Sequence, residues 1–511
     1  MFYLWIVASL LAASCGKDSI TEISSTQVDD VSQVLTGATV TIAWNGTGAA
    51  TVSGSTDGLT VKENSSGKVT ISYTGSKVLE YQLSGTTSNG YLKIYSGVTQ
   101  KLVLNSVSIT NSTGAAINLQ GPEDSPADGE VTYVVLNGSS TLADGSTYSS
   151  TPSDEDEKGA VFGEGSLIFS GSGSLTVTAS GKSGIVSDDY VKVMSGTITV
   201  NSSSSVKVSG TDTTKVSGVK AKDGFEMQDG TLTVSCTGQG CKGISGDGTA
   251  TFADGTVSVA VSGSNYGSSS GGGGGFGGRK SSSAVQAKGI KFDGSITFSG
   301  STVSVSSANH EGIESKGEIV VTGGEVYSTA SDDAINSAST MTISGGYVCA
   351  HSSGNDGLDA NGNLYIKGGV VYAIGASSPE VAVDANTEGG YKLYVTGGTL
   401  IAIGGLESGA SLSQTCYSSS SWSSNAWYGL TVGSTQYAFK TPSSGGSTLV
   451  VSGSSTPSLK SGVSTSGGTS HFGGMLLEGC TVSGGSTVSL SQYSGGNSGG
   501  GGGQPGGGGR H

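Results

Sequence analysis

The 511-residue sequence is poor in charged residues, in aromatic residues and in proline. Asp, Glu, Lys and Arg make up 12% of it, aromatic residues make up 6%, and there are 7 Pro. Scarce proline and the absence of a three-residue glycine period exclude collagen. Ala, Leu, Glu and Lys do not recur at a 3.6-residue spacing, which excludes a helical bundle. Hydrophobic residues still reach 34% and alternate with polar ones, which argues against disorder along the whole chain.

Glycine, by contrast, is abundant, with 89 residues. Short alternating segments divided by glycine predict an extended all-β protein with many turns. The formal net charge of −15 argues against nucleic acid or anionic lipid as a partner. An acidic polymer can still bind if a divalent cation lies between the two negative charges.

The first residues predict export. Residues 1–14 (MFYLWIVASLLAAS) are apolar but too few to span a bilayer. The run from Leu11 to Cys15 is typical of a bacterial lipobox, which predicts lipidation of Cys15 and anchoring to the envelope at the cell surface. An ordinary signal peptide followed by a chance cysteine is the alternative. Residues 15–36 are then predicted to be a tether.

Export permits disulfides. Cys236 and Cys241 flank the four residues TGQG, and we predict a local structural disulfide between them. The C-x4-C spacing without a second pair or a nearby histidine is a poor zinc site. The sequence leaves the pairing of Cys349, Cys416 and Cys480 open.

An internal repeat is the strongest pattern in the chain. Ile313, Ile335, Leu358 and Val383 are separated by 22, 23 and 25 residues. Each unit contains three short alternating segments divided by glycine, and it cannot bury its apolar residues without stacking on its neighbours. We therefore predict a right-handed parallel β-helix of about ten coils. The reference positions of the repeat are Val161, Ile185, Val219, Ile244, Val285, Ile313, Ile335, Leu358 and Val383.

The repeat divides the chain. We predict an N-terminal β lead-in and cap at 37–110 and the β-helix itself at 111–414, interrupted by a flexible glycine-rich insert at 262–283. A C-terminal β cap is predicted at 415–493, and 494–511 is predicted to be a disordered glycine-rich tail.

Stacked repeats bring equivalent side chains into columns, and one edge of the later repeats is acidic. Closely stacked carboxylates repel one another, so some should hold protons or bind a cation. Oxygen-only ligands favour calcium over zinc or copper. A solvated acidic edge that binds nothing is the alternative. The predicted metal ligands are Glu311, Glu314, Asp332, Asp333, Asp356, Asp359 and Asp384.

Basic residues are predicted beside this edge. Lys222, Lys288 and Lys316 are placed in one slot, three residues after a reference position. Together with His310 and Asn355 they are the predicted ligand-binding residues, because calcium next to lysine suits the carboxylates of a uronate polymer. Alternatively, these lysines only neutralise their acidic neighbours.

A second outward column changes along the repeats from threonine and serine to tyrosine, cysteine and isoleucine. We expect the region from residue 415 onward to pack over its end, because cysteine and isoleucine cannot help to bind a sugar. Trp422, Trp427 and Tyr428 are either sugar platforms or part of that cap. The column contains Thr199, Thr233, Ser258, Ser304, Tyr327, Cys349, Tyr372 and Ile401.

Several motifs occur in a characteristic order: KLVLNSVSITNSTGAAINL at 101–119, KGAVFGEGSLIFSGSGSLTV at 158–177, then SGIVSDD and NDGLDA. This order resembles the family of exported carbohydrate-binding β-helix proteins of cellulolytic bacteria, which are similar to pectate-lyase-type rods. The resemblance covers residues 36–495. It implies a right-handed parallel β-helix, bound calcium, and binding of acidic plant polysaccharide such as polygalacturonate, or of cellulose, with no cleavage known. The positions that match its calcium ligands are Asp332, Asp333, Asp356 and Asp359.

Three functions follow from the sequence. The leading hypothesis is a monomeric, non-enzymatic surface lipoprotein that binds acidic polysaccharide through calcium and does not bind nucleic acid. The second is a polysaccharide lyase on the same fold, with lysine as the proton acceptor. The third is an adhesin or structural surface protein without a sugar site.

Overall fold

The computed structural model describes residues 34, 36–122, 130–149, 151, 155–209, 212–267 and 284–494. The predicted signal peptide, Cys15, most of the tether, most of the insert 262–283 and nearly all of the tail lie outside the described residues. A single compact unit begins at Thr36. In the residues that the structure describes, the regular structure is strand apart from one 3-10 turn, Phe472–Gly474. The prediction of an all-β protein is therefore confirmed. Among the described residues, no helix has the length and apolar character needed to cross a bilayer.

Most strands belong to three ladders in which successive strands run parallel. The first ladder is a sheet of 12 strands whose first pair alone is antiparallel. It consists of Leu59–Ser65, Lys68–Tyr73, Tyr91–Ser96, Ile117–Gln120, Gly159–Gly163, Ser183–Ser187, Ser217–Ala221, Lys242–Gly246, Ile290–Phe292, Ile313–Ser315, Ile335–Ser337 and Leu358–Ala360.

The other two ladders belong to one sheet of 28 strands. The second ladder consists of Thr132–Asn137, Leu167–Gly171, Tyr190–Val193, Gly224–Met227, Thr249–Phe252, Ile296–Phe298, Ile319–Val321, Met341–Ile343, Leu364–Ile366, Leu393–Val395 and Ser411–Leu412. The third ladder consists of Ser139–Ala143, Ser174–Ala179, Thr197–Ser202, Thr231–Cys236, Thr256–Val261, Thr302–Ser307, Glu325–Ala330, Tyr347–Ser352, Val370–Ile374 and Thr399–Ile403.

Long strands join the second and third ladders at the N-terminal end. Gln100–Thr110 pairs with the first strand of both ladders, through residues 100–105 and 108–110. The strands Leu79–Thr87 and Ala38–Asn45 continue this parallel pairing outward, and Thr51–Ser53 is antiparallel to the last of them.

The remaining strands are antiparallel. Leu449–Ser452 closes the third ladder and pairs with Cys416–Ser419, which also pairs with Ser491–Gln492. Lys207–Ser209 and Asp212–Thr214 form a separate pair. A sheet of six strands comprises Trp427–Val432, Thr435–Lys440, Ser458–Ser466, Thr469–His471, Leu476–Glu478 and Thr481–Thr487.

The sequence repeat and the strand pairing share one register over most of the chain. Ile313 pairs with Ile335, Ile335 with Leu358, and Leu358 forms a bridge with Val383. These reference side chains are 0–2% exposed. Alternation explains this pattern, because every second side chain of a strand points to the same face. Burying each such residue contributes about 1.5–3 kcal/mol relative to leaving it exposed.

Glycine precedes several reference positions because neighbouring chains approach closely there. A Cβ at Gly218 would lie 2.3 Å from Cγ1 of Val234, in the third ladder, and 2.9 Å from the backbone oxygen of Gly243 in the next strand. Glycine also supplies the left-handed backbone of the turn before the third ladder, as at Gly324 and Gly346, with φ of 77° and 74°.

One reference position predicted from the sequence is wrong. Ile290, and not Val285, pairs with Ile244 on one side and Ile313 on the other. Val285 instead forms an antiparallel bridge with Tyr266 across the insert. The chain therefore rejoins the ladder five residues later than the sequence spacing suggested.

The predicted Cys236–Cys241 disulfide is also wrong. Both cysteines are buried and free, with their thiols hydrogen-bonded to each other. The Cys236 thiol also contacts the backbone oxygen of Lys242 at 3.1 Å. Local hydrogen bonds therefore satisfy these side chains without a covalent bridge.

The C-terminal sheet covers the end of the third ladder, as the second outward column predicts. Cys349, Tyr372 and Ile401 lie in successive pairing positions and are 0% exposed. They share a hydrophobic cluster with Phe439 of the six-stranded sheet. The Tyr372 hydroxyl donates to the backbone oxygen of Lys440 at 2.8 Å.

Candidate functional site

Two columns of side chains along the first ladder carry the candidate site. We call the residue directly after each buried reference residue the outer column, and the residue two before it the edge column. The outer column reads Lys220, Ser245, Lys291, Glu314, Asn336, Asp359, Asp384 and Glu407. The edge column reads Ser217, Lys242, Lys288, Glu311, Asp333 and Asp356. Both columns change from lysine to carboxylate at the same strand.

Ion pairs join the two charge types where they meet. The Lys288 ammonium lies 2.6 Å from Glu314 and 3.2 Å from Glu311, and Lys316 lies 2.5 Å from the other oxygen of Glu314. Burial alone would raise the pKa of Glu314, but Lys288 and Lys316 outweigh it and hold that pKa below its ordinary value. Glu311 and Glu314, both predicted as calcium ligands, therefore have lysine partners.

His310 belongs to this junction. Its Nδ1 contacts Glu311 and lies 3.2 Å from Asp332. The three ligand atoms lie within 4.8 Å of one another and could hold a metal ion. Burial, followed by the charge of Lys288, lowers the pKa of His310 to about 4, so its imidazole is neutral at pH 7. A mixed nitrogen and oxygen set suits a transition metal better than calcium.

Asp333, Asp356, Asp359 and Asp384 form a second group, which we call the aspartate cluster. The Asn336 amide donates to Asp333 at 3.0 Å and to Asp359 at 2.5 Å. Backbone N–H groups donate to the cluster as well, from Asp356 to Asp333 at 3.1 Å and from Val381 to Asp356 at 2.6 Å. Just outside the cluster, Asn355 donates to Asp332 at 2.9 Å.

The aspartate cluster lacks basic partners among the described residues. Asp333 and Asp356 are only 6% and 8% exposed. Burial, followed by neighbouring carboxylates, raises the pKa of Asp333 to about 6 and that of Asp356 to about 7. The same causes raise the pKa of Asp359 to about 8.

The pKa of Asp384, the next residue of the outer column, is raised as well. Burial, followed by a hydrogen bond with Glu407, raises its pKa to about 9, while the pKa of Glu407 is lowered. Asp384 therefore holds the proton that the two carboxyls share. Without a cation, much of the cluster is protonated near neutral pH.

The predicted lysine slot does not exist. Positions three residues after the reference residues are occupied by Lys222, Asp247, Asp293 and Lys316, with the signs mixed. Lys288 lies in the edge column instead, because the register passes through Ile290 and not Val285. Lys222 is exposed and lies at the end of an earlier strand.

Glu407, Lys242 and Lys291 also lie in these columns, although they were not predicted from the sequence. Leu406 forms a bridge with Val383, so Leu406-Glu407 repeats the pattern of Val383-Asp384 one step further. A signal for Lys291 was present too, because Gly289-Ile290 repeats the pattern Gly243-Ile244.

Two of the three aromatic residues that could have been sugar platforms, Trp422 and Tyr428, pack in the C-terminal hydrophobic cluster. The Trp422 ring nitrogen donates to the backbone oxygen of Gly446 at 2.8 Å. Tyr428 is 2% exposed and stacks on Phe439 with ring centroids 5.5 Å apart. Trp427 begins the strand that contains Tyr428 and is half-buried.

Comparison with known proteins assigns the chain to a family. No curated protein matches it. A solved structure, described as "Structure of the polysaccharide lyase-like protein from C. thermocellum, Gadolinium derivative", shares 17% identity at a TM-score of 0.32, over 56% of this chain and 91% of that chain. That likeness is too low to establish a common fold. A family model described as "Carbohydrate-binding domain-containing protein" matches residues 65–357 and 286–445. Since these matches cover most of the sequence, the chain belongs to the carbohydrate-binding domain-containing family.

Proposed function

We propose that this protein binds an acidic polysaccharide of the polygalacturonate type through calcium held by the aspartate cluster. The observation that carries the proposal is a set of four carboxylates, two of them nearly buried, that have no basic partner among the described residues. Family membership supports a carbohydrate as the ligand. The charge of the cluster supports a cation between protein and polymer.

The donor set fits calcium. Asp333, Asp356, Asp359 and Asp384 offer carboxylate oxygens, and the Asn336 amide nitrogen donates to two of them. Calcium takes six to eight oxygen ligands and accepts flexible geometry. When bound, it would supply positive charge to hold the sugar carboxylates. Asn336 and the two backbone donors orient the aspartates, and burial keeps competing water away from Asp333 and Asp356.

The fold supports an extended ligand. We propose that the three ladders are the three faces of a right-handed parallel β-helix. The support is that one sequence repeat contributes one strand to each ladder, as at Ile313, Ile319 and Val326, and the next repeat pairs parallel in each. Neighbouring strands lie about 4.8 Å apart, so a column of side chains offers a linear track for a polymer.

The proposal includes location and the absence of cleavage. Export and lipidation of Cys15 would place a monomeric protein at the cell surface, where plant polysaccharide is encountered. We propose binding alone, so incubation with polygalacturonate should produce no absorbance from unsaturated uronate ends.

Affinity electrophoresis tests the proposed function. The purified protein should migrate more slowly in gels that contain polygalacturonate and calcium than in gels that contain the polymer and a chelator. A gel with a neutral polysaccharide is the control for sieving. Equal migration in all three gels would refute the proposal.

A further inference from the structure

A cleft lined by lysines lies on the same ladder, toward its N-terminal end. Its volume is about 450 Å³, within the range of ordinary small-molecule sites. The described lining offers four ammonium groups and three hydroxyls but no carboxylate. The lining residues are Lys158, Lys182, Ser183, Thr213, Thr214, Lys215 and Lys220.

The charges in this cleft are only partly compensated. Lys158 is paired with Asp156 at 2.6 Å and with Asp188 at 2.5 Å. Lys182 donates to the backbone oxygen of Glu157. Among the described residues, the side chains of Lys215 and Lys220 have neither an ion pair nor a hydrogen bond, so the lining holds excess positive charge.

Neighbouring lysines add to this charge. Lys242 stands one strand beyond Lys220 in the ladder. Burial, followed by Lys215, Lys288 and Lys291, lowers the pKa of Lys242 to about 8. Burial is the largest cause of this shift, and the three neighbouring lysines lower the pKa further by charge repulsion.

We propose that this lysine cleft binds a carboxylate-bearing sugar directly, without a cation. Ammonium and hydroxyl donors together can satisfy a carboxylate by charge-assisted hydrogen bonds, and the hydroxyls of Thr213 and Thr214 suit the sugar hydroxyls. That the anion is a uronate rests on the proposed function, whereas the existence of an anion site does not.

The cleft and the aspartate cluster can contact one polymer. Lys220 and Asp359 lie in the same outer column, five strands apart, which corresponds to about 24 Å at the usual strand spacing. A long uronate chain would contact lysine at one end of the track and calcium at the other. Two linked contacts strengthen binding without any new interaction at either one.

Calorimetric titration with trigalacturonate in a chelator tests the proposal, because the chelator removes the contribution of calcium. The test variant is Lys215→Gln with Lys220→Gln, whose side chains make no contact that folding needs. The matched control is Lys392→Gln with Lys460→Gln, two exposed lysines whose loss changes the net charge equally. Thermal shift with inorganic sulfate, also in chelator, probes the anion site apart from any sugar.

The wild type and the control should bind trigalacturonate equally well in chelator. The Lys215→Gln/Lys220→Gln variant should bind at least about tenfold more weakly, as expected for the loss of a charge-assisted hydrogen bond. Sulfate should raise the unfolding temperature of the wild type more than that of this variant.

Equal affinity in both double variants, or no binding by the wild type in chelator, would overturn the proposal. Stabilisation by sulfate without any affinity for trigalacturonate would overturn the assignment to a sugar carboxylate. If the protein does not bind polygalacturonate through calcium, the titrations in chelator should still give the results described here. Failure of the proposed function is therefore distinguishable from failure of the lysine-cleft proposal.

Discussion

Replacing Asp356 by asparagine should stabilise the calcium-free protein at alkaline pH. Asp356 is 8% exposed, and its carboxyl accepts a hydrogen bond from the backbone N–H of Val381 at 2.6 Å. An asparagine oxygen can accept the same bond but cannot ionise. The groups that face it, Asp333, Glu380 and Glu407, are all acidic and disfavour a charge at this position.

The pH dependence has a definite sign. The pKa of Asp356 is about 7 in the folded chain, against an ordinary value of 3.8. Between these values the folded chain binds more protons than the unfolded chain, so the free energy of unfolding falls as pH rises. The loss is complete above about pH 7. At about 1.4 kcal/mol per pH unit it amounts to at most about 4 kcal/mol.

Urea unfolding in chelator measures the effect. At pH 4 the wild type and Asp356→Asn should have the same unfolding midpoint, because the folded wild type is protonated there. At pH 8 the variant should have the higher midpoint. Added calcium should raise the midpoint of the wild type at pH 8 more than that of the variant, because the cation replaces the proton.

An exposed aspartate provides the control. Asp57→Asn removes the same charge from an exposed residue outside the cluster and should not reproduce the effect of Asp356→Asn. If Asp356→Asn lowered the midpoint at pH 8 in chelator, or if both variants behaved alike, the reasoning about buried, unpaired carboxylates would be wrong.

Three further predictions concern the fold. Gly218→Ala should lower the free energy of unfolding by about 1–3 kcal/mol, because the added Cβ would lie 2.3 Å from Val234. Gly48 has open space around it, so Gly48→Ala should have little effect in the same urea titration. Tyr372→Phe should cost about 1 kcal/mol by the same assay, because the hydroxyl donates to the backbone oxygen of Lys440 at 2.8 Å; an unchanged midpoint would contradict this contact. Thiol titration of the unfolded, never-reduced protein should find free thiols at all five described cysteines, and a shortfall of two would indicate a disulfide.

The regular part of the architecture was predictable because each repeat carries its own register. Glycine or alanine followed by a buried aliphatic residue marks the first ladder at Ile313, Ile335 and Leu358, and the pairing follows those positions. Alternation then separates buried from outward residues within each strand. The acidic columns followed from the same register, and the structure places Asp333, Asp356 and Asp359 together as expected.

The insert and the cross-strand partners were harder to predict. Sequence spacing cannot show where the ladder resumes after an insert, and the bridge between Tyr266 and Val285 moved that point to Ile290. This five-residue error put Lys288 in the wrong column and hid its pairing with Glu314. The free thiols of Cys236 and Cys241 were not predicted, because proximity in sequence does not decide between a hydrogen bond and a disulfide.

Calcium-dependent binding of polygalacturonate by defined aspartate variants tests the central claim most directly. Calorimetric titration of the polymer at a fixed calcium concentration should compare the wild type with Asp356→Asn/Asp359→Asn and with Asp57→Asn. We expect the wild type and Asp57→Asn to bind with equal affinity and to lose that calcium-dependent affinity in chelator. We expect the double variant to bind no more tightly with calcium than without it. Full calcium-dependent affinity in the double variant would contradict the account.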